Sequence, residues 1–366
     1  MMKRRLMLLA ASMMLFMPVL PVTANAASKQ LLYQFDGAIS DFDQNRIVWK
    51  ATGNKVLWLY DRTNKSEAKV YDAAGTDAVV SQAKLTADGV LYTFTDQKSR
   101  KAVTAYWKDG EARRLADASF TAIKGNYALF ADRVVDIATG QTRPFGPSNT
   151  DVSPDGAIVY STISDLYGQL PDGTSTKLAS RSPSLVSQWY QANLGLYQPV
   201  TDGTNIVFRE LMLIDNYRYL KWVTRLIGPD GKRTTLAINP WPATSVDYDV
   251  NNGWIAYTKY EKDNDRWILY DRSPEGVEKP IFEATWWTST QLPLSIDKMW
   301  PDGSVTYTYN RHTYIYFKQS DKSEEVTGVS SQFQYREHVF GGPNETQYRY
   351  GVWYRLAGGS LFESRV

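Results

Sequence analysis

The chain has two histidines, His312 and His338, and no cysteine. The two rings could supply one general base, and the 39 carboxylates could hold a catalytic pair. The missing cysteine excludes a thiolate nucleophile, thiolate-bound zinc, an iron–sulfur cluster and a disulfide. No G-x-S-x-G elbow, phosphate-cradling glycine loop, G-x-G-x-x-G turn or H-E-x-x-H helix is present. Both histidines read as strand or loop residues without a catalytic role. A pair of carboxylates of the glycosidase kind stays open, because the separation that defines it is not written in a sequence.

Two stretches, Asp41-Phe42-Asp43-Gln44-Asn45 and Asp263-Asn264-Asp265, alternate oxygen-bearing side chains as calcium loops do. Neither has the central glycine and closing glutamate of a complete loop. Both fall where a turn is needed, and Asp and Asn favour turns by bonding their own backbone. No metal or other cofactor is expected.

The residue types best suited to a ligand are rings beside charges. Trp189 and Tyr190 lie in the stretch 181–192, Trp241 in 239–247, and Trp286 with Trp287 in 284–291. Arg209, Glu210, Tyr217 and Arg218 lie in 209–221. Rings offer apolar area and charged groups fix orientation, the combination that sugar and peptide recognition uses. The bland alternative is that the rings are packing wedges. The Trp286-Trp287 pair resists it, since neighbours on an extended strand point to opposite sides.

What must position these residues is a unit that recurs seven times: a turn rich in Asp, Asn and Gly, then an aliphatic or Ala, any residue, and an aromatic. The copies are Ile47-Val48-Trp49, Val90-Leu91-Tyr92, Ala128-Leu129-Phe130, Ile158-Val159-Tyr160, Ile206-Val207-Phe208, Ile255-Ala256-Tyr257 and Val305-Thr306-Tyr307. A further strand follows each, most visibly Trp58-Leu59-Tyr60 and Trp267-Ile268-Leu269-Tyr270, and Val352-Trp353-Tyr354-Arg355-Leu356 reads as an eighth such strand. Turns this dense leave no room for an amphipathic helix. Units of roughly 40 to 50 residues in four short strands cannot bury both faces alone and do so by radial stacking. The expected fold is therefore all-β, a single β-propeller of four-stranded blades spanning residues 27–366, with eight blades favoured and seven the alternative. Leu31-Leu32-Tyr33-Gln34-Phe35, ahead of the first unit, is expected to add a strand to the last one and close the ring.

At Val152-Ser153-Pro154-Asp155-Gly156-Ala157-Ile158-Val159-Tyr160 the chain resembles the bacterial TolB-like propeller repeat, with partial copies at Trp300-Pro301-Asp302-Gly303, Thr86-Ala87-Asp88-Gly89 and Thr201-Asp202-Gly203. The resemblance implies the fold and says little of activity, since propellers host binding modules and enzymes alike. Oligogalacturonate lyase, an enzyme built on such repeats, uses several histidines, and this chain has two.

Lys3-Arg4-Arg5, the apolar stretch 6–20 and Ala24-Asn25-Ala26 have the order of a secretory signal peptide, residues 1–26, cleaved after Ala26. Removing its three basic residues takes the formal charge from +2 to −1. A balanced surface argues against nucleic acid or anionic membrane as the main partner. No later stretch is apolar enough to span a bilayer. The sequence thus points to a secreted, non-catalytic propeller that binds a glycan, polysaccharide or protein on its loop-rich face, extracellular or loosely wall-associated. A polysaccharide lyase or glycosidase using carboxylates on that face is the first alternative, and an extracellular scaffold the second.

Overall fold

The computed structural model describes residues 30–43, 45–144, 150–182, 194–214, 219–240, 247–264, 266–285, 294–310, 312–325, 346–349, 352–357 and 360–365. Its strands form eight four-stranded antiparallel sheets, the arrangement of a β-propeller. Sheet 1 runs Gly37–Phe42, Arg46–Ala51, Val56–Asp61 and Ser66–Asp72, and sheet 2 runs Ala78–Leu85, Val90–Asp96, Ala102–Lys108 and Glu111–Ala116. Sheet 3 holds Ala122–Lys124, Tyr127–Leu129, Arg133–Asp136 and Thr142–Pro144, and sheet 4 holds Thr150–Val152, Ile158–Ser161, Asp165–Gln169 and Ser175–Ser180. Sheet 5 is made of Gly195–Thr201, Ile206–Ile214, Tyr219–Ile227 and Arg233–Pro240, and sheet 6 of Tyr248–Asn251, Trp254–Glu261, Arg266–Arg272 and Glu278–Thr285. Sheet 7 comprises Leu294–Met299, Val305–Tyr309, His312–Phe317 and Lys322–Glu325.

Sheet 8 joins the two ends of the chain: Thr346–Arg349, Val352–Ala357 and Ser360–Arg365 are completed by Gln30–Gln34, which pairs antiparallel with Ser360–Arg365. The expected closing strand is therefore present, and it covers an edge that would otherwise offer unpaired amides. One assignment changes. Val352–Ala357 is the second strand of its sheet and so holds the place of the aliphatic–x–aromatic strand, not of the strand after it. The short Gly358-Gly359 link misleads because it resembles a later turn.

The repeat has a packing reason. Each of its seven copies falls on the second strand of a sheet, which is covered on both faces. The ring at the third position packs against the preceding sheet, and the middle residue against the following one. Val48 thus shares a core with Tyr92, Leu91 with Phe130, Leu129 with Tyr160, Val207 with Tyr257, and Ala256 with Tyr307, in five of the seams between sheets. Within a sheet the ring also faces an aromatic directly across on the third strand: Trp49 with Trp58, Tyr160 with Tyr167, Tyr257 with Tyr270 and Tyr307 with Tyr314, at 5.2 to 6.2 Å between centroids. Such pairs stabilise a sheet by up to ~1 kcal/mol each.

First strands of neighbouring sheets touch one another, which places them around the central axis. The turns between first and second strands interlock on one face, where Gly253 N donates to Asp202 at 2.6 Å and Asn252 donates to Pro301 O at 3.1 Å. Second-to-third connections and the links between sheets lie on the opposite face, toward which the nine-residue strands Ile206–Ile214 and Tyr219–Ile227 extend sheet 5. No helix among the described residues is long and apolar enough to cross a membrane.

Candidate functional site

A first strand is an edge of its sheet, so the amides on its inner side need a partner from elsewhere. In four places a carboxylate of the preceding sheet supplies it. Asp41 accepts from Leu85 N at 2.9 Å, Asp151 from Thr201 N at 2.8 Å, Asp249 from Met299 N at 2.7 Å and Asp247 from Ile296 N at 2.7 Å. These staples span 44 to 50 residues, close to one repeat. On one side of the axis they are charge-balanced: Lys84 lies 3.8 Å from Asp41, and Lys124 binds Asp151 and donates to Thr201 O at 3.3 Å.

Sheets 6 and 7 break that balance. Asp247 and Asp249 hold the first strand of sheet 7 at Ile296 and Met299, and the pairing of that strand slips between Ile296 and Lys298. Asp297 sits in this bulge. A bulge kinks the strand and re-aims a side chain, and Asp297 is exposed at the inner edge of sheet 7. Thr308 donates to its Oδ2 at 2.8 Å. Burial, followed by the neighbouring Asp247 charge, pushes the Asp297 carboxyl up to about 7. Burial and then Asp249 raise Asp247 to about 6, against the pull of its N–H donors and the Arg209 charge. Both Asp247 oxygens accept backbone amides, from Ile296 and Tyr248. Asp247 is thereby the anchored member of the pair, and burial with the neighbouring charge raises both carboxyls above the ordinary aspartate value.

Sheet 5 forms the neighbouring wall. The Arg209 guanidinium lies 4.7 Å from the Trp222 ring centroid, and Tyr197 meets Trp222 edge-on at 5.6 Å. Tyr248 donates to Gln198 O at 2.7 Å, tying this wall to the strand that carries Asp249. Chemically these strands offer two carboxyls of raised proton affinity, one of them anchored by backbone amides, with a guanidinium and aromatic surface nearby. Asp247 and Asp297 were not singled out from sequence, although Asp247 ends the stretch 239–247 and Asp297 lies within the strand Leu294–Met299 that follows 284–291. Residues 241–246 lead into Asp247, and 286–293 into Leu294–Met299.

Among the residues singled out from sequence, Trp189, Tyr190, Tyr217, Arg218, Trp241, Trp286, Trp287 and His338 lie outside the described residues. Arg209 lies within the strand Ile206–Ile214, not in a connecting loop, with its guanidinium over Trp222. Glu210 is buried and engaged internally: it accepts from Ser182 N at 2.6 Å and Arg225 Nε at 3.1 Å, and pairs with Arg233. Burial alone would raise its carboxyl, but the Ser182 amide and the charges of Arg233 and Arg225 outweigh it and hold it low. Arg233 also donates to Ser180 O at 2.9 Å, and Arg181 to Leu194 O at 3.2 Å, so this cluster fixes both ends of the stretch bearing Trp189 and Tyr190. In geometry Glu210 is a fastening between sheets 4 and 5. His312 is exposed and lies 2.8 Å from Glu325.

At the proposed calcium positions, Asp43 accepts from the amides of Asn45 and Arg46 and from the Arg46 guanidinium, and Asp263 belongs to the 3₁₀ turn Lys262–Asn264. No group of three or more metal-binding side chains is gathered among the described residues.

No family model matches the chain, and no curated protein matches it. Solved structures resemble it in fold. An uncharacterized protein of Listeria monocytogenes aligns at 9% identity and TM-score 0.47, over 83% of this chain and 99% of its own. Dipeptidyl peptidase 4 of Porphyromonas gingivalis aligns at 10% identity and TM-score 0.49, over 88% of this chain and 56% of its own. Oligogalacturonate lyase of Vibrio parahaemolyticus aligns at 9% identity and TM-score 0.43, over 91% of this chain and 90% of its own.

Proposed function

We propose that the chain is a secreted propeller of TolB-like repeat type that binds a hydroxyl-rich extracellular glycan at the channel mouth of sheets 5 to 7. The observation that carries this reading is the side-by-side placement of the Arg209–Trp222 stack and the Asp247–Asp297 pair. An aromatic face covers the apolar side of a sugar ring. Carboxyl and guanidinium groups accept from and donate to its hydroxyls. Trp241, Trp286 and Trp287 belong to the stretches that feed this mouth and are proposed as further platforms, with Trp189, Tyr190, Tyr217 and Arg218 beside them. The basic start and Ala24-Asn25-Ala26 support export, with Ala27 as the mature N-terminus.

A glycan array with the mature protein tests the reading. Trp286→Ala and Trp287→Ala are expected to weaken binding while leaving the melting temperature nearly unchanged. A loss of ~3–5 kcal/mol of stability in both would show buried wedges instead. A polysaccharide-cleaving enzyme is the second reading. It is favoured by the pair itself, because a carboxyl that keeps its proton near pH 7 beside an ionised one suits general-acid chemistry. New reducing ends or unsaturated products from a glycan the protein binds, absent with Asp297→Asn, would establish it.

A further inference from the structure

Lysines that enter a seam between sheets are elsewhere matched with an acid. Lys84 lies 3.8 Å from Asp41, Lys124 pairs with Asp151, and Lys318 binds the buried Asp271 at 2.6 Å. Lys50 of sheet 1 differs. It stands in register with Leu57, and Leu57 with Tyr71, so the three side chains share the face that meets sheet 2. Leu57 and Tyr71 pack there with Tyr92 and Phe94, and the half-buried Tyr71 and Phe94 rings stack at 4.8 Å. Lys50 is itself half-buried, and burial alone lowers its pKa: among the described residues no carboxylate acts on its amine. A cation so placed gives up hydration without a counter-charge in return.

The groups around it leave that charge open. The turn Thr52–Asn54 after Lys50 touches the first strands of both sheets. Lys55 donates to Thr76 O at 2.5 Å and Ala78 O at 3.0 Å, so its charge meets carbonyls rather than an acid. The nearby acids are engaged: Asp36 accepts from Thr52 at 3.2 Å, Asp72 from Lys69 at 2.8 Å and Ala74 N at 2.9 Å, and Asp77 pairs with Lys98 at 2.6 Å. In the second-to-third turn of sheet 2, Asp96 accepts from Ser99 N at 2.6 Å, and Arg100 and Lys101 are exposed. We propose that the seam of sheets 1 and 2, at the end where these turns emerge, binds an acidic sugar residue of a polysaccharide. The carboxylate or phosphate sits on the Lys50 amine, the sugar ring beside the Tyr71–Phe94 stack, and further acidic groups of the polymer on Arg100 and Lys101. The site shares no residue with sheets 5 to 7, so it stands or falls apart from the glycan reading there.

Calorimetric titration of the full chain with alginate, a phosphomannan and neutral dextran tests the site. At least one of the two acidic polymers should bind, more weakly as salt rises, and which of them binds tells a carboxylate from a phosphate. Lys50→Met keeps the stem and removes the charge. It should weaken that binding roughly tenfold, the worth of one charge-assisted hydrogen bond, while the melting temperature stays level or rises, because no ion pair is broken. Lys322→Met, an exposed lysine on sheet 7, should change neither. Should Lys50→Met fail to fold, Arg100→Gln with Lys101→Gln decides, and should weaken the acidic polymer as well. Absence of binding by both acidic polymers, dextran bound as tightly as they are, duplex DNA bound more tightly, an equal loss in Lys322→Met, or unchanged affinity in Lys50→Met or in the Arg100–Lys101 double variant would each overturn the site.

Discussion

Replacing Glu210 by glutamine separates a fastening from a ligand contact. The carboxylate is 1% exposed and carries the charge for two guanidiniums, Arg225 at 17% and Arg233 at 26% exposure. Glutamine keeps the shape and an acceptor for Ser182 N but leaves both cations without their partner. Breaking a buried ion pair from one side costs ~3–5 kcal/mol. Because both arginines reach some water, the expected loss is ~2–3 kcal/mol, or roughly 3–4 °C in melting temperature at this chain size. Urea titration at pH 7 with a second probe of cooperativity measures it, and Glu210→Gln combined with Arg233→Gln should recover part of the loss by removing the stranded charge. The sign with pH follows from the depressed carboxyl. Its contribution is present above the ordinary value of 4.5 and disappears as the pH falls below it. Stability within ~0.5 kcal/mol of the native chain, the usual range for a surface change, would refute the fastening, and lost ligand affinity with unchanged melting would return Glu210 to the binding surface.

Two further outcomes follow. Asp247 and Asp297 titrate higher in the folded chain than the ordinary 3.8, at about 6 and about 7, so the native state holds more protons than the unfolded one and stability should fall as pH rises from 4 through 7. Solvent screens the exposed Asp297, which limits the drop to ~1–2 kcal/mol; melting curves from pH 5 to 8.5 should show it, Asp297→Asn should flatten it, and a rise in stability over that range would contradict the assignment. Gly303→Ala should cost ~2–4 kcal/mol in chemical denaturation, because the backbone there has φ +89° and a Cβ would stand 2.9 Å from the Trp254 ring; a neutral result would mean that the interlocked turn face yields more easily than its packing implies.

The sequence determined the fold because its information was local and repeated. An aliphatic–x–aromatic strand after an Asp-Gly turn needs both faces covered wherever it occurs, and Val48, Leu91, Val207 and Ala256 with the rings they meet show the same solution in four separate seams. The closing strand was legible for the same reason: Leu31-Leu32-Tyr33 is a strand with no sheet of its own in sequence. Arg209 was legible as a charge beside rings, while Glu210, its neighbour, points into a fastening, since successive residues of a strand face opposite sides.

The channel pair was not legible, for a physical reason. Asp247 and Asp297 are 50 positions apart, ordinary acids in ordinary company, and only the ring brings their strands side by side. The bulge at Asp297 depends on how two strands of sheet 7 register, and its raised affinity for a proton depends on the strands gathered around it and on a second charge from the neighbouring sheet. Repetition of local patterns set the architecture, and the closing of that architecture around an axis decided which of the 39 carboxylates lost their water and met each other.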